Sequence, residues 1–219
     1  MEDLYKPIID ELRNSHQSPV ELFKDAIEYL ALKIMVQTDF KIEKNNADKY
    51  FELTEKYTDK DNKVIKVMKL ICSLLKRFST HFNDYLGELY MRVIEEFSKP
   101  TKGQYFTPYN VSKLMAHITF DIPTHVNEKP ITINDPCCGS GGMCIAFIDL
   151  LDKRNINYLQ HYLIYANDVD ITCAYMTYIQ LSMAGAAAIV EHKDTITQET
   201  YSTMRTAGYY FQGKKNYQL

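Results

Sequence analysis

The sequence predicts an α/β protein: a helical N-terminal region over residues 1–100, followed by a partial Rossmann-like sheet over 101–219. Three observations predict this. Residues 1–100 hold a single glycine, Gly87, and place apolar residues at helical spacing. A β-branched run, Ile131-Thr132-Ile133-Asn134, passes through Asp135-Pro136-Cys137-Cys138 into Gly139-Ser140-Gly141-Gly142, which reads as strand, tight turn and helix start. A second apolar run, Tyr162 to Ala166, ends in Asn167-Asp168-Val169-Asp170, giving the strand–helix–strand rhythm of a parallel sheet.

Taken in order, Ser18-Pro19-Val20-Glu21 reads as a capping box with Pro19 at the first helical position. The helix it opens carries Leu22, Phe23, Ala26, Ile27, Leu30 and Ile34 as an apolar stripe. A polar connector, Lys41 to Asn46, precedes a short helix near Ala47–Tyr57. A further helix begins after Asp61 and presents Val64, Val67, Met68, Ile71 and Leu75. Phe82–Phe97 is the last helix of the region, and Ser98–Lys102 is the expected domain boundary. Thr107-Pro108 opens a helix to about Ile118, with Thr107 as its N-cap. After the glycine turn a helix runs over Gly142–Asp152. Asp170 is expected to cap a helix over Ile171–Met183 that ends at Gly185. Ala186–Val190 reads as a third strand, and His192 as a loop histidine. In the tyrosine-rich tail a short strand at Gly208–Phe211 is expected in the fourth position.

Composition narrows the function classes. The net charge is −3 and the pI about 6.1, so no global basic field draws nucleic acid to the chain. Twenty lysines against five arginines argue against reading of base edges by this chain alone. The five cysteines (Cys72, Cys137, Cys138, Cys144 and Cys173) match no zinc spacing and read as reduced thiols. The chain has no signal peptide and no apolar run of about 18 residues, which predicts a cytoplasmic protein with no membrane partner.

The glycine turn carries the functional signal. A strand feeding glycines and a helix N-terminus exposes backbone N–H groups to a crevice, a place to hold a cofactor. The dinucleotide fingerprint needs a glycine where Cys144 stands, and the phosphate loop needs Gly-Lys-Ser/Thr where Gly141-Gly142-Met143 stands. What remains is Asp-Pro-x-Cys-Gly-Ser-Gly-Gly. An acidic strand end without lysine suits a ligand that brings its own positive charge, and S-adenosylmethionine is such a ligand.

Asp135 to Gly142 resembles the cofactor loop of adenine-N6 DNA methyltransferases, in particular the modification subunits of type I restriction–modification systems. Gly103-Gln104-Tyr105-Phe106-Thr107-Pro108 is similar to the Gly-Gln-x-Phe/Tyr-Thr-Pro signature that precedes the loop in that family. The likeness runs from about Asp84 to Thr195, the N-terminal half of such a subunit. It implies a partial S-adenosylmethionine-dependent methyltransferase sheet. In that sheet Asp135, Pro136, Cys138, Gly139, Ser140, Gly141 and Gly142 form the cofactor loop. Tyr105, Phe106, Thr107 and Pro108 close the wall at its methionine end. Asp168 receives the ribose, although Ala166 replaces the family's glycine there. Asp194, in a stretch resembling Gly-Asp-Thr-Leu, approaches the adenine amino group.

The same resemblance marks what is missing. Amino-methylating enzymes grip the flipped base with an Asn/Asp/Ser-Pro-Pro-aromatic tetrapeptide at the fourth strand, yet no proline follows Pro136 in these residues. No catalytic residue is therefore assigned. Two readings stand: a methyltransferase-family protein that binds the cofactor and reaches DNA through a partner, or a non-catalytic accessory module acting through protein contacts. With few strands, Ile131–Asn134 would form a sheet edge. That edge is expected to be covered by the Gly208–Phe211 segment, by a second copy of the chain or by another protein.

Overall fold

The computed structural model describes residues 3–57, 62–98, 105–119 and 131–216, with side chains described up to residue 212. Among the described residues, ten α-helices and four strands are arranged in the order α1 (Lys6–Arg13), α2 (Pro19–Thr38), α3 (Lys44–Lys56), α4 (Lys63–Leu75), α5 (Tyr85–Phe97), α6 (Tyr109–Thr119), β1 (Ile131–Asp135), α7 (Gly142–Lys153), α8 (Tyr158–His161), β2 (Tyr162–Asp168), α9 (Ile171–Met183), β3 (Ala188–Lys193), β4 (Thr200–Arg205) and α10 (Ala207–Asn216). The expected boundary stretch beyond Ser98 lies outside the described residues.

The sheet order is β1-β2-β3-β4, with the first three strands parallel and β4 antiparallel to β3. The register sets Ile133 beside Ile164, Ile164 beside Ala188 and Val190 beside Met204. These residues share one face, because side chains alternate along a strand. Helices α7 and α9 cover that face. Phe147 and Leu151 of α7 pack with Tyr162, Ile131 and Ile133. Ile179, Met176 and Tyr178 of α9 join the larger core, and α2, α4 and α5 form a layer outside it. On the opposite face Thr132, Asn134 and Tyr165 are exposed. The fold is an N-terminal helical region followed by a Rossmann-like α/β sheet of three parallel strands and one antiparallel strand.

Several local expectations are corrected. Ser18 sits at the N-cap of α2 with Pro19 at the first position, but its side chain makes no capping bond. Glu21 instead pairs with Lys24 at 3.2 Å, so the reciprocal box does not form. Helix α3 begins at Lys44, inside the expected connector, because the Glu43 carbonyl already accepts the N–H groups of Asn46 and Ala47. Helix α6 starts one residue after Pro108, whose carbonyl takes the first bonds from Val111 and Ser112. The third strand starts at Ala188 because Ala186 is used to close α9. Gly185 stands at φ +70° and the Ala186 N–H returns to the Leu181 carbonyl, the Schellman pattern. The strand then runs on to Lys193, so His192 lies in β3, with Nε2 3.1 Å from the Val169 carbonyl. Asp170 caps α9 as expected, accepting the Thr172 N–H at 2.8 Å.

The largest correction concerns the tail. Gly208–Phe211 is helical, within α10, and the fourth strand is Thr200–Arg205. The β-prone Thr200-Tyr201-Ser202-Thr203 suits the pleat and turns Met204 into the core. Thr206 then ends the strand, its carbonyl accepting the Tyr209 N–H. This strand adds beyond β3 and not beside β1. Along the outer margin of β4, the Arg205 N–H donates to Asp39 at 3.0 Å and the Thr203 N–H to Glu43 at 3.1 Å. The outer margin of β1 pairs with no strand among the described residues.

Candidate functional site

Strand β1 delivers Asp135 to a turn that the glycines make possible. Gly139 (φ +55°) and Gly141 (φ +91°) occupy the left-handed region that side chains resist. A Cβ at Gly139 would stand 3.0 Å from the Phe106 ring, and one at Gly141 3.1 Å from Thr177 Oγ1. Both faces of the turn are therefore occupied closely. Three further bonds fix it. The Gly139 N–H donates to Asp168 Oδ2 at 2.9 Å, Thr177 Oγ1 donates to the Gly139 carbonyl at 2.9 Å, and the Cys138 N–H donates to the Asn167 carbonyl at 3.0 Å. The tips of β1 and β2 and the flank of α9 thus hold the loop together.

Beneath the loop lies a layer that sequence reasoning missed. Asp84, the N-cap of α5, is buried. Its Oδ1 accepts from the Gly87 N–H at 3.0 Å and from Gln180 Nε2 at 2.7 Å, and its Oδ2 accepts from Ser140 Oγ at 2.6 Å. Gln180 also donates to the Ser140 carbonyl at 2.8 Å. Burial pushes the Asp84 carboxyl above the usual carboxylate range, with nearby Glu88 adding to the rise; the bonds from Ser140, Gln180 and Gly87 pull the other way. The sequence signal, an aspartate three residues before a glycine at a helix start, suggests only a cap. Its partner Ser140 is remote in sequence.

A cleft of about 120 Å³ opens beside the turn. Of the sequence-assigned residues, Tyr105, Phe106, Thr107, Asp135, Cys138, Gly139, Ser140 and Gly142 line it, joined by Asp84, Ser112, Cys137 and Met143. Pro108, Pro136 and Gly141 do not line it, although Gly141 and Pro136 shape the turn. Asp168 does not line it; it is half-buried, and its Oδ1 also accepts the Asp170 N–H at 2.9 Å. Asp194 stands in the β3–β4 loop, where its Oδ1 accepts from Ile196 and Thr197. Those backbone bonds hold its carboxyl below the usual range. Thr195, not anticipated, ties this loop to the turn through the Pro136 carbonyl and Asn167. Burial raises Asp135, aided by the charge of Asp168 and opposed by bonds from Cys137 and Cys144. Among the described residues, no Lys or Arg lines the cleft.

A second cavity of about 230 Å³ lies along β1 and is lined by Ile133, Asn134, Ala116, Thr119, Cys144 and Phe147. It shares Asp135 and Met143 with the first. No described group of three or more His, Cys, Asp or Glu could hold a metal ion. None of the five cysteines forms a disulfide: Cys137 is exposed, Cys72 half-buried, and Cys138, Cys144 and Cys173 buried. No described helix is long and apolar enough to cross a membrane.

A three-strand parallel unit with a glycine turn after its first strand and a carboxylate at the tip of its second has the layout of a methyltransferase cofactor site. The model of the N-6 DNA Methylase family matches residues 81–210, and the chain belongs to that family. The type I restriction enzyme MjaIX methylase subunit of Methanocaldococcus jannaschii is 24% identical over 124 residues, covering 55% of this chain and 21% of the relative. The MpnII methylase subunit of Mycoplasma pneumoniae is 24% identical over 143 residues, covering 62% and 26%. The match thus spans about a fifth to a quarter of the length of these curated relatives. Among solved structures, a Listeria monocytogenes protein described as a class I S-adenosylmethionine-dependent methyltransferase aligns with a TM-score of 0.44 and 16% identity, over 80% of this chain and 54% of that one. The type I restriction–modification methyltransferase subunit of Streptococcus thermophilus aligns with a TM-score of 0.42 and 15% identity, over 90% and 59%.

Proposed function

We propose that the chain is the cofactor-holding part of an adenine-N6 DNA methylation apparatus, binding S-adenosylmethionine and reaching DNA through a partner. The observation that carries this is the glycine cradle, two left-handed glycines each tight against a neighbour, opening on a cleft with carboxylates and, among the described residues, no cation. The residues fit the ligand. Asp168 spends one acceptor site on each oxygen for a backbone N–H, and a carboxylate oxygen has two, so both remain able to receive ribose hydroxyls. Asp194 is half-buried in the β3–β4 loop, where its carboxylate, with two backbone N–H bonds on Oδ1, has acceptor capacity left for the adenine amine. Phe106 and Thr107 close the methionine end. When bound, the cofactor supplies a methyl group activated by its sulfonium; the protein binds, orients and shields it from water.

The base-gripping tetrapeptide is not among these residues, so transfer to DNA requires groups from outside them. The margin of β1, unpaired among the described residues, together with the exposed Leu114, Met115 and Ile118 of α6, supports docking of a second protein there. The reading as a non-catalytic accessory module rests on the same two features.

Titration calorimetry with S-adenosylmethionine tests the cofactor: heat from the wild type and a loss of at least tenfold in affinity for Asp168→Ala are expected. Silence from the wild type overturns it. Tritium transfer from labelled cofactor to unmodified DNA separates enzyme from module. Counts above background from the chain alone would overturn the need for a partner.

A further inference from the structure

Two buried polar side chains of the cleft come from the helices that precede the sheet. Asp84 comes from the start of α5 and Ser112 from the first turns of α6. We propose that together they recognise the amino-acid end of the cofactor, Asp84 facing its ammonium group and Ser112 bonding to it through the hydroxyl. The proposal rests on the cofactor reading and adds to it the residues that choose which end of the ligand enters the cleft.

Acceptor capacity supplies the first support. Asp84 Oδ1 is filled by Gly87 and Gln180, while Oδ2 takes one bond, from Ser140, and keeps a lone pair. All three donors are neutral, and the nearby charge, Glu88, is of the same sign. A buried carboxylate so placed gains most from a cation it can reach, since buried charge is costly until paired. Second, the Ser112 hydroxyl is fully buried on a residue that lines the cleft, and it has no hydrogen-bond partner among the described residues. Buried hydroxyls left this way cost free energy, which a ligand polar group would recover. Third, the two ends of the site are already divided. Asp168 and Asp194, read above as the partners of the nucleoside, are not among the residues that line the cleft. The cleft is left for the amino-acid end.

The test uses the full chain and three probes in calorimetry: S-adenosylmethionine, S-adenosylhomocysteine and 5′-methylthioadenosine, which lacks the amino-acid end. Asp84→Asn keeps the shape and lets the rotatable Ser140 hydroxyl become the acceptor. It is expected to weaken both amino-acid-bearing ligands by about ten- to a hundredfold. Ser112→Ala is expected to weaken the same two by about three- to tenfold while its unfolding midpoint holds or rises. Methylthioadenosine is expected to bind wild type and variants alike. Equal loss across all three probes would mean the residues act only by supporting the loop, and no loss would mean they do not meet the ligand; either result overturns the proposal. If wild type binds none of the three, the cofactor reading falls, and this inference with it.

Discussion

Ser140 Oγ and Asp84 Oδ2 stand 2.6 Å apart across 56 positions of sequence, joining the helical region to the floor of the glycine turn. Replacing Asp84 with alanine strips an acceptor from Ser140, Gln180 and the Gly87 N–H at once. A loss of about 2–4 kcal/mol in urea unfolding is expected, because buried donors left unpaired forfeit their solvation.

Asp84 also makes a signed prediction in pH. Burial raises its folded-state value above the ordinary 3.8, so the native state binds the proton more tightly than the unfolded chain. The stabilisation this gives is complete below the ordinary value and disappears as pH rises through the folded one. Wild-type stability minus that of Asp84→Asn should therefore fall from acid to neutral pH. A flat difference in urea midpoints across that range would contradict the assigned burial.

At Gly141, alanine would have to adopt φ +91° while its methyl pressed on Thr177. A cost of about 1–3 kcal/mol is expected, together with loss of cofactor heat in calorimetry. Gly185, also at positive φ but with open space around it, should lose stability on substitution without losing cofactor binding.

The thiols should divide by exposure. Cys137 is exposed and lines the cleft, whereas Cys138 and Cys144 are buried and burial pushes both thiols up. Iodoacetamide with mass mapping of the native protein is expected to modify Cys137 and spare that pair. Bound S-adenosylmethionine should slow the reaction at Cys137.

Gly208 tests the corrected tail. Its missing Cβ would fall 2.4 Å from the Ala186 carbonyl oxygen, which belongs to backbone and cannot turn aside. Gly208→Ala should destabilise by about 1–3 kcal/mol through overpacking, read in thermal or urea unfolding. A strand at Gly208 with no such neighbour would tolerate it.

The elements legible in the sequence are those whose signal is local. The strand, glycine turn and helix around Gly139 need only three consecutive propensities that agree, and the Asp170 cap only a side chain and the next turn. The tail was not legible, because Thr200–Arg205 is a polar run whose strand character depends on pairing with β3, and Gly208–Phe211 is β-prone in composition yet follows a threonine that starts a helix. Ser112 was unreadable for a related reason: in a list of residues it is one more helical serine, and only the closeness of the cleft gives its hydroxyl meaning. Asp84 showed its cap and concealed its reach.

The side chains of Asp39 and Glu43 that seal β4 give the sheet a direction of growth. Among the described residues the open margin is that of β1, so a strand added there would lie next to Asp135 and Met143, the two residues common to both cavities. A twin copy related by a two-fold axis would lay β1 against itself head to tail. A parallel addition like β2 demands a different segment, and such an incomer would plant its own strand tip at the mouth of the methyl-donor cleft.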